Sequence, residues 1–185
     1  MIRKLFAGIV AASLIGGFAI AAEIKSGPQE GTMLPGPFHP LNVNGEGAGK
    51  KACLYCKFGD DPVAMVFART SACPQTAKLI KKLDAVTAAN KKADMGSFVV
   101  FLSDDDKAAD SLKAMAEKEK LTNVVLAVDN PAGPEKYNVS KDADLTVILY
   151  KDRKVAVNKT FKKGAITDAD IDAIIKDVAK IVPAK

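Results

Sequence analysis

The chain holds three cysteines, close together, as Cys53-Leu-Tyr-Cys56 and then a lone Cys73-Pro74. Sulfur does its chemistry as the thiolate, and a free cysteine, with a pKa of ~8.5, needs help to ionise near neutral pH. A helix start gives that help, because its unpaired backbone N–H groups and its dipole favour negative charge. Proline is tolerated as an early helical residue. The run after Pro74 places Ala77, Ile80, Leu83 and Val86 on one face with lysines opposite, so a helix is predicted from Cys73 to about Lys92. Two readings of Cys73 follow. It is a reactive thiol at a helix start, or it is a buried and inert one, since free cysteine is among the most buried residue types.

Cys53 and Cys56 are spaced so that their sulfurs can bond without much chain movement. One reading makes them a reducible pair that exchanges with Cys73 through a mixed disulfide. The other makes them a static staple. An odd cysteine count leaves one thiol over if only intramolecular pairs form. Attachment of haem at C-x-x-C calls for His next, and residue 57 is Lys. Cys53, Cys56, Cys73 and the single histidine, His39, form a set of three thiolates and one imidazole, right in ligand type for zinc or copper. Their spacing does not specify a site, and His39 stands between prolines in Pro-Phe-His-Pro. No metal and no cofactor are expected.

The redox compartment decides whether a disulfide persists. Arg3 and Lys4 precede an uncharged apolar run from Leu5 to about Ala19, and Ala19 and Ala21 make an A-x-A pattern. This is the pattern of a secretory signal peptide cut after Ala21 or Ala22. The run is short for a membrane span, which needs ~20 apolar residues, so no stable membrane insertion is expected after cleavage. The expected location is secreted or periplasmic. The formal charge of +5 falls to +3 when Arg3 and Lys4 leave with the leader. Lysines are mixed with acids along amphipathic segments, without the aromatic interleaving that base stacking needs, so no nucleic-acid partner is expected. Asp104, Asp105 and Asp106 read as a helix start, where the dipole favours acids.

These sulfurs must be positioned by regular elements. Residues 22–51 are rich in Gly and Pro and read as an extended lead-in that adds at most one edge strand, at Pro-Phe-His-Pro-Leu-Asn-Val-Asn-Gly. Continuous apolar runs at 62–69, 97–103 and 123–129 have the character of buried parallel strands. A second helix is predicted over 106–120, with Ala109, Leu112, Met115 and Ala116 inward. A Pro/Gly break at 130–136 leads to strands at 144–150 and 155–161, joined by a turn at Asp152 and Arg153. A last helix from Thr167 to Val182 opens on a capping box with Asp170 in the place of Glu. Strands alternating with helices, then a hairpin and a helix, predict an α/β mixed central sheet with helices on both faces.

In this order and spacing the chain resembles the thioredoxin-fold superfamily, and its redoxin or peroxiredoxin-like branch in particular. Pro62-Val-Ala-Met-Val-Phe-Ala-Arg-Thr-Ser-Ala-Cys-Pro-Gln-Thr76 is similar to that branch's core strand and cysteine-bearing helix start. Val99-Val-Phe-Leu-Ser-Asp-Asp-Asp106 is similar to its second strand, and Glu135 to Val155 to its late hairpin. The resemblance implies a thioredoxin-like domain over 52–185, after a leader at 1–21 and the lead-in at 22–51. It implies that Cys73 is the nucleophile and that the Thr70 hydroxyl donates a hydrogen bond to it. The implied activity is thiol–disulfide exchange on a protein or small-molecule substrate, with Cys53 and Cys56 as the reducible pair, or peroxide reduction at the same sulfur. The departures bear on the activity. Val66 stands where the peroxidases carry a proline, Asp144 falls near their arginine, Thr76 takes the second cysteine's place in a thioredoxin C-x-x-C, and Leu145 replaces the proline beside the thioredoxin site. A non-catalytic binding or copper-handling module on the same scaffold is the alternative.

Overall fold

A computed structural model describes residues 24–71 and 73–182, so the leader expected at 1–21 lies outside the described residues. Each long apolar run is a strand. The order is β1 (Leu41–Asn42), α1 (Leu54–Phe58), β2 (Val63–Ala68), α2 (Pro74–Ala89), β3 (Gly96–Leu102), α3 (Ala108–Lys118), β4 (Val124–Asp129), β5 (Leu145–Lys151), β6 (Lys154–Phe161) and α4 (Asp168–Asp177). They form one six-stranded sheet in the order β1-β4-β3-β2-β5-β6. Strands β2, β3 and β4 pair in parallel, while β1 joins β4 and β5 joins β2 antiparallel. Every residue of β2 and β3 is buried, which is why these runs lack the polar alternation of a half-exposed strand.

Side chains alternate across the sheet. Ala64, Val66 and Ala68 of β2 share one core with Leu79, Ile80 and Leu83 of α2, Leu112 and Ala116 of α3, and Ile171 and Ile174 of α4. Both parallel crossovers step the same way along the sheet, and right-handed connections then put α2 and α3 on one face. The opposite face, with Val63, Met65 and Phe67, is covered by Leu34 and Phe38 of the lead-in, Leu54 of α1 and Tyr137. Helices thus lie on both faces, though unequally. Helix α1 has no counterpart in the elements read from the sequence.

The lead-in is tied down. The Ser26 and Thr146 hydroxyls are hydrogen bonded at 2.7 Å, and Ser140 N donates to Ser26 Oγ. The Asn158 side-chain amide donates to the carbonyls of Ser26 and Pro28. Gly31 N donates to Val155 O and Val155 N to Thr32 O, so the chain start lines the free edge of β6. The capping box of α4 forms as expected: Asp170 N donates to Thr167 Oγ1, and Thr167 N donates back to the Asp170 carboxylate.

Asp84 of α2 holds the start of β4, accepting the backbone N–H groups of Thr122, Asn123 and Val124 and the Asn123 amide. Burial pushes its carboxyl up, but these donors outweigh burial and leave it below the ordinary aspartate value. A carboxyl lowered in the folded chain contributes stability above its unfolded value and loses it as the pH falls through the folded one. Asp84→Ala is expected to cost about 1–3 kcal/mol near neutral pH, for several donors lose one charged acceptor. In urea titrations the gap from wild type should narrow at the acid end of the carboxylate range. A gap that stays constant with pH would be the contrary result.

The Tyr150 hydroxyl is buried in the other core and has no hydrogen-bond partner among the described residues. Burial, and then the neighbouring Tyr137 and Tyr55, push its ionisation far upward, so it stays neutral. An unmade buried hydrogen bond carries a desolvation penalty, and Tyr150→Phe is therefore expected to leave stability unchanged or raise it by up to about 1 kcal/mol. A clear loss in the urea midpoint would reveal a partner for that hydroxyl.

Candidate functional site

Cys53 and Cys56 are joined in a disulfide, with Cα atoms 5.2 Å apart. Cys53 caps α1, and its Sγ accepts the backbone N–H of Cys56 at 3.0 Å. Cys53 is half-buried and Cys56 exposed. The helix is short, so packing holds it. Leu54 is buried, and the Phe58 ring stacks on Phe98 at 6.0 Å, over the position of Gly96. The Arg153 guanidinium lies 4.9 Å from the Tyr55 ring centre and also pairs with Asp60 at 3.2 Å. Gly59 ends the helix at a φ of 54°, a backbone setting where glycine is favoured.

Cys73 is free, half-exposed, and the N-cap of α2, with Pro74 as the first helical residue. It lies beyond the C-terminal end of β2, the strand at which the sheet changes from parallel to antiparallel pairing. In open α/β sheets the crevice outside the carboxyl ends of such strands is the common place for chemistry. Its sulfur makes no capping bond; it donates instead to Gln75 Oε1 at 3.3 Å.

The residues around it are arranged differently from the sequence expectation. The Thr70 hydroxyl donates to Asp144 Oδ1 at 2.6 Å, so its proton goes to that carboxylate and not to Cys73. Arg69 is spent on backbone: its Nε donates to Ala143 O, Nη1 to Pro131 O and Nη2 to Ser140 O. It clamps the segment between β4 and β5 beside the cysteine loop. A small cavity of about 80 Å³ opens at this end of the sheet, lined by Arg69, Ser71, Phe101, Ser103, Asp105 and Ser111. A hollow of about 350 Å³, lined by Val86, Asn90, Ile175 and Val182, lies at the far end of α2.

The structure brings Cys53 and Cys56 together and leaves Cys73 bonded to neither. Helix α1 packs on one face of the sheet and meets the N-terminal end of β2, whereas Cys73 follows the other end and leads into α2 on the opposite face. Between those ends run the six residues of β2, roughly 17 Å of strand. His39 is exposed, and two of the three sulfurs that would join it as metal ligands, Cys53 and Cys56, are bonded to each other. Among the described residues no group of three His, Cys, Asp or Glu side chains is placed to hold a metal ion. No described helix is long and apolar enough to cross a membrane.

No protein-family model matches this sequence, and comparison with curated protein sequences finds no relative. Solved structures do match. A candidate protein disulfide isomerase from Bacteroides thetaiotaomicron is 16% identical, with a TM-score of 0.63 over 86% of this chain and 94% of that one. A candidate thiol:disulfide interchange protein DsbE from Chlorobium tepidum is 19% identical, with a TM-score of 0.60 over 87% and 100%. A thiol peroxidase from Chromobacterium violaceum is 15% identical, with a TM-score of 0.59 over 85% and 90%. Sheet order, the cysteine-bearing start of α2 and these similarities together establish that the chain has a thioredoxin-like fold.

Proposed function

We propose that the chain is an exported thiol–disulfide exchange protein with Cys73 as the attacking sulfur and the Cys53–Cys56 disulfide as its reducible pair. The observation that carries the reading is the setting of Cys73: free, half-exposed and at the N-cap of α2, just past the carboxyl end of the central strand. The names of the structural relatives, thiol:disulfide interchange protein and thiol peroxidase, are consistent with sulfur chemistry there. Export is supported by the leader-like N-terminus and by a disulfide that a reducing compartment would open.

In the first step the Cys73 thiolate attacks a substrate disulfide, forms a mixed disulfide and releases one substrate thiolate. A second thiolate then attacks that mixed disulfide, leaves with the substrate sulfur and restores Cys73. The sheet stands between the two sulfur centres, so electrons pass between them through a substrate or carrier thiol. Peroxide reduction is the weaker use of the same sulfur, because the corner where the peroxidases keep an arginine holds the Asp144 carboxylate.

The test adds one equivalent of a small aromatic disulfide to the folded chain with Cys53–Cys56 closed, then digests with trypsin and weighs the peptides. The adduct is expected on the peptide from Thr70 to Lys78 and should leave when a second thiol is added. A Cys73 that reacts only after denaturation would make it a core residue and end the proposal.

A further inference from the structure

We infer that the Cys53–Cys56 disulfide opens with a fixed polarity, an incoming thiolate bonding to Cys56 while Cys53 leaves. This rests on the reading of the pair as reducible and adds which sulfur the substrate meets.

Disulfide exchange is a displacement at sulfur: the attacked atom must be reachable, and the departing one is faster the better its negative charge is held. The two cysteines differ on both counts. Cys56 is exposed. Cys53 is half-buried and follows a stretch pinned to the lead-in, where Ala52 N donates to Pro40 O and Lys51 is bridged to Leu41. The backbone N–H of Cys56 already points at Cys53 Sγ at 3.0 Å. A donor in place before charge develops needs no reorganisation as the bond breaks. No hydrogen bond reaches Cys56 Sγ among the described residues, so the opposite polarity would leave the charge without a donor.

The donor also survives the opening. Leu54 is buried in the core of that face and Phe58 stacks on Phe98 of the sheet, so α1 is held at both ends by packing as well as by the disulfide. The step is R–S⁻ plus Cys56–S–S–Cys53, giving R–S–S–Cys56 and Cys53–S⁻. A second R–S⁻ then attacks the mixed disulfide, so R–S–S–R leaves and both cysteines are reduced.

The chain with Cys53–Cys56 closed is mixed briefly with 2-mercaptoethanol, quenched with acid, and its free thiols are blocked with a maleimide at mildly acid pH. Trypsin cuts after Lys51 and Lys57, and fragment sequencing of Ala52–Lys57 tells the two sulfurs apart. The expected result is the mercaptoethanol adduct on Cys56 and the maleimide on Cys53, in excess over the reverse by roughly tenfold, the effect of one hydrogen bond to a charged sulfur. An even split, or adducts mainly on Cys53, overturns the polarity and leaves the exchange reading intact. A disulfide that stays closed under thiol that reduces the isolated peptide overturns both.

Discussion

Cys73→Ser is expected to reduce exchange of a small disulfide to the uncatalysed rate, a fall of roughly 100-fold or more, as for removal of a nucleophile elsewhere. Serine keeps the size of the side chain and its hydrogen bond to Gln75, but a hydroxyl does not ionise near neutral pH and forms no disulfide. Cys73 is half-exposed and makes no capping bond. The swap should therefore alter stability by no more than about 0.5 kcal/mol, as surface substitutions usually do. Activity and fold then separate cleanly: turnover lost, urea midpoint unmoved. Retained turnover in this variant would shift the chemistry to Cys53–Cys56 alone.

The largest structural effect is expected at Gly96, the first residue of β3. A Cβ built there would lie 2.3 Å from the Cδ1 and Cε1 atoms of the Phe58 ring, far inside contact distance. The ring cannot simply swing aside, because it is stacked on Phe98. Overpacking of this kind costs about 1–3 kcal/mol. Alanine restricts the unfolded chain more than glycine, which returns only about 0.4–1 kcal/mol, so the clash wins. Gly96→Ala is expected to lose about 1–2 kcal/mol net, and Gly96→Val more. In a double-mutant cycle with Phe58→Ala the two losses should sum to less than expected, since removing the ring removes the clash. Additive losses would place the strain elsewhere. The variant should also loosen α1 and make the Cys53–Cys56 disulfide quicker to reduce.

The fold was legible because its main strands are buried on both faces. Runs such as Val63 to Ala68 and Gly96 to Leu102 carry no polar residue in their centres, and the helices between them show apolar spacing of three and four. Thr167 and Asp170 announced α4 correctly. Helix α1 escaped because it is five residues long, too short for periodicity. Its signals were there nonetheless: Leu54 and Phe58 are four apart, and Gly59 follows as a helix terminator. The Cys53–Cys56 pairing is legible from its spacing, but the distance of Cys73 from that pair is not. Two sulfurs on one face and one at the far end of β2 is a fact of topology, which spacing along the chain does not report. The resemblance points the Thr70 hydroxyl at Cys73; its actual partner Asp144, like the carbonyls that hold Arg69, comes from the segment before β5, some seventy residues on.

The ties of the lead-in bear on the order of folding. Ser26, Gly27, Gly31 and Leu34 bond to residues between Asn138 and Asn158, so the start of the described chain has its partners near the end. Contacts this distant in sequence form late, because a long loop must close before they gain anything. A chain that emerges with its N-terminus first therefore cannot complete this face until the β5–β6 hairpin is free. Until then the Ser26–Leu34 segment lacks the partners that hold it in the folded chain and is the part most open to a protease or to another chain.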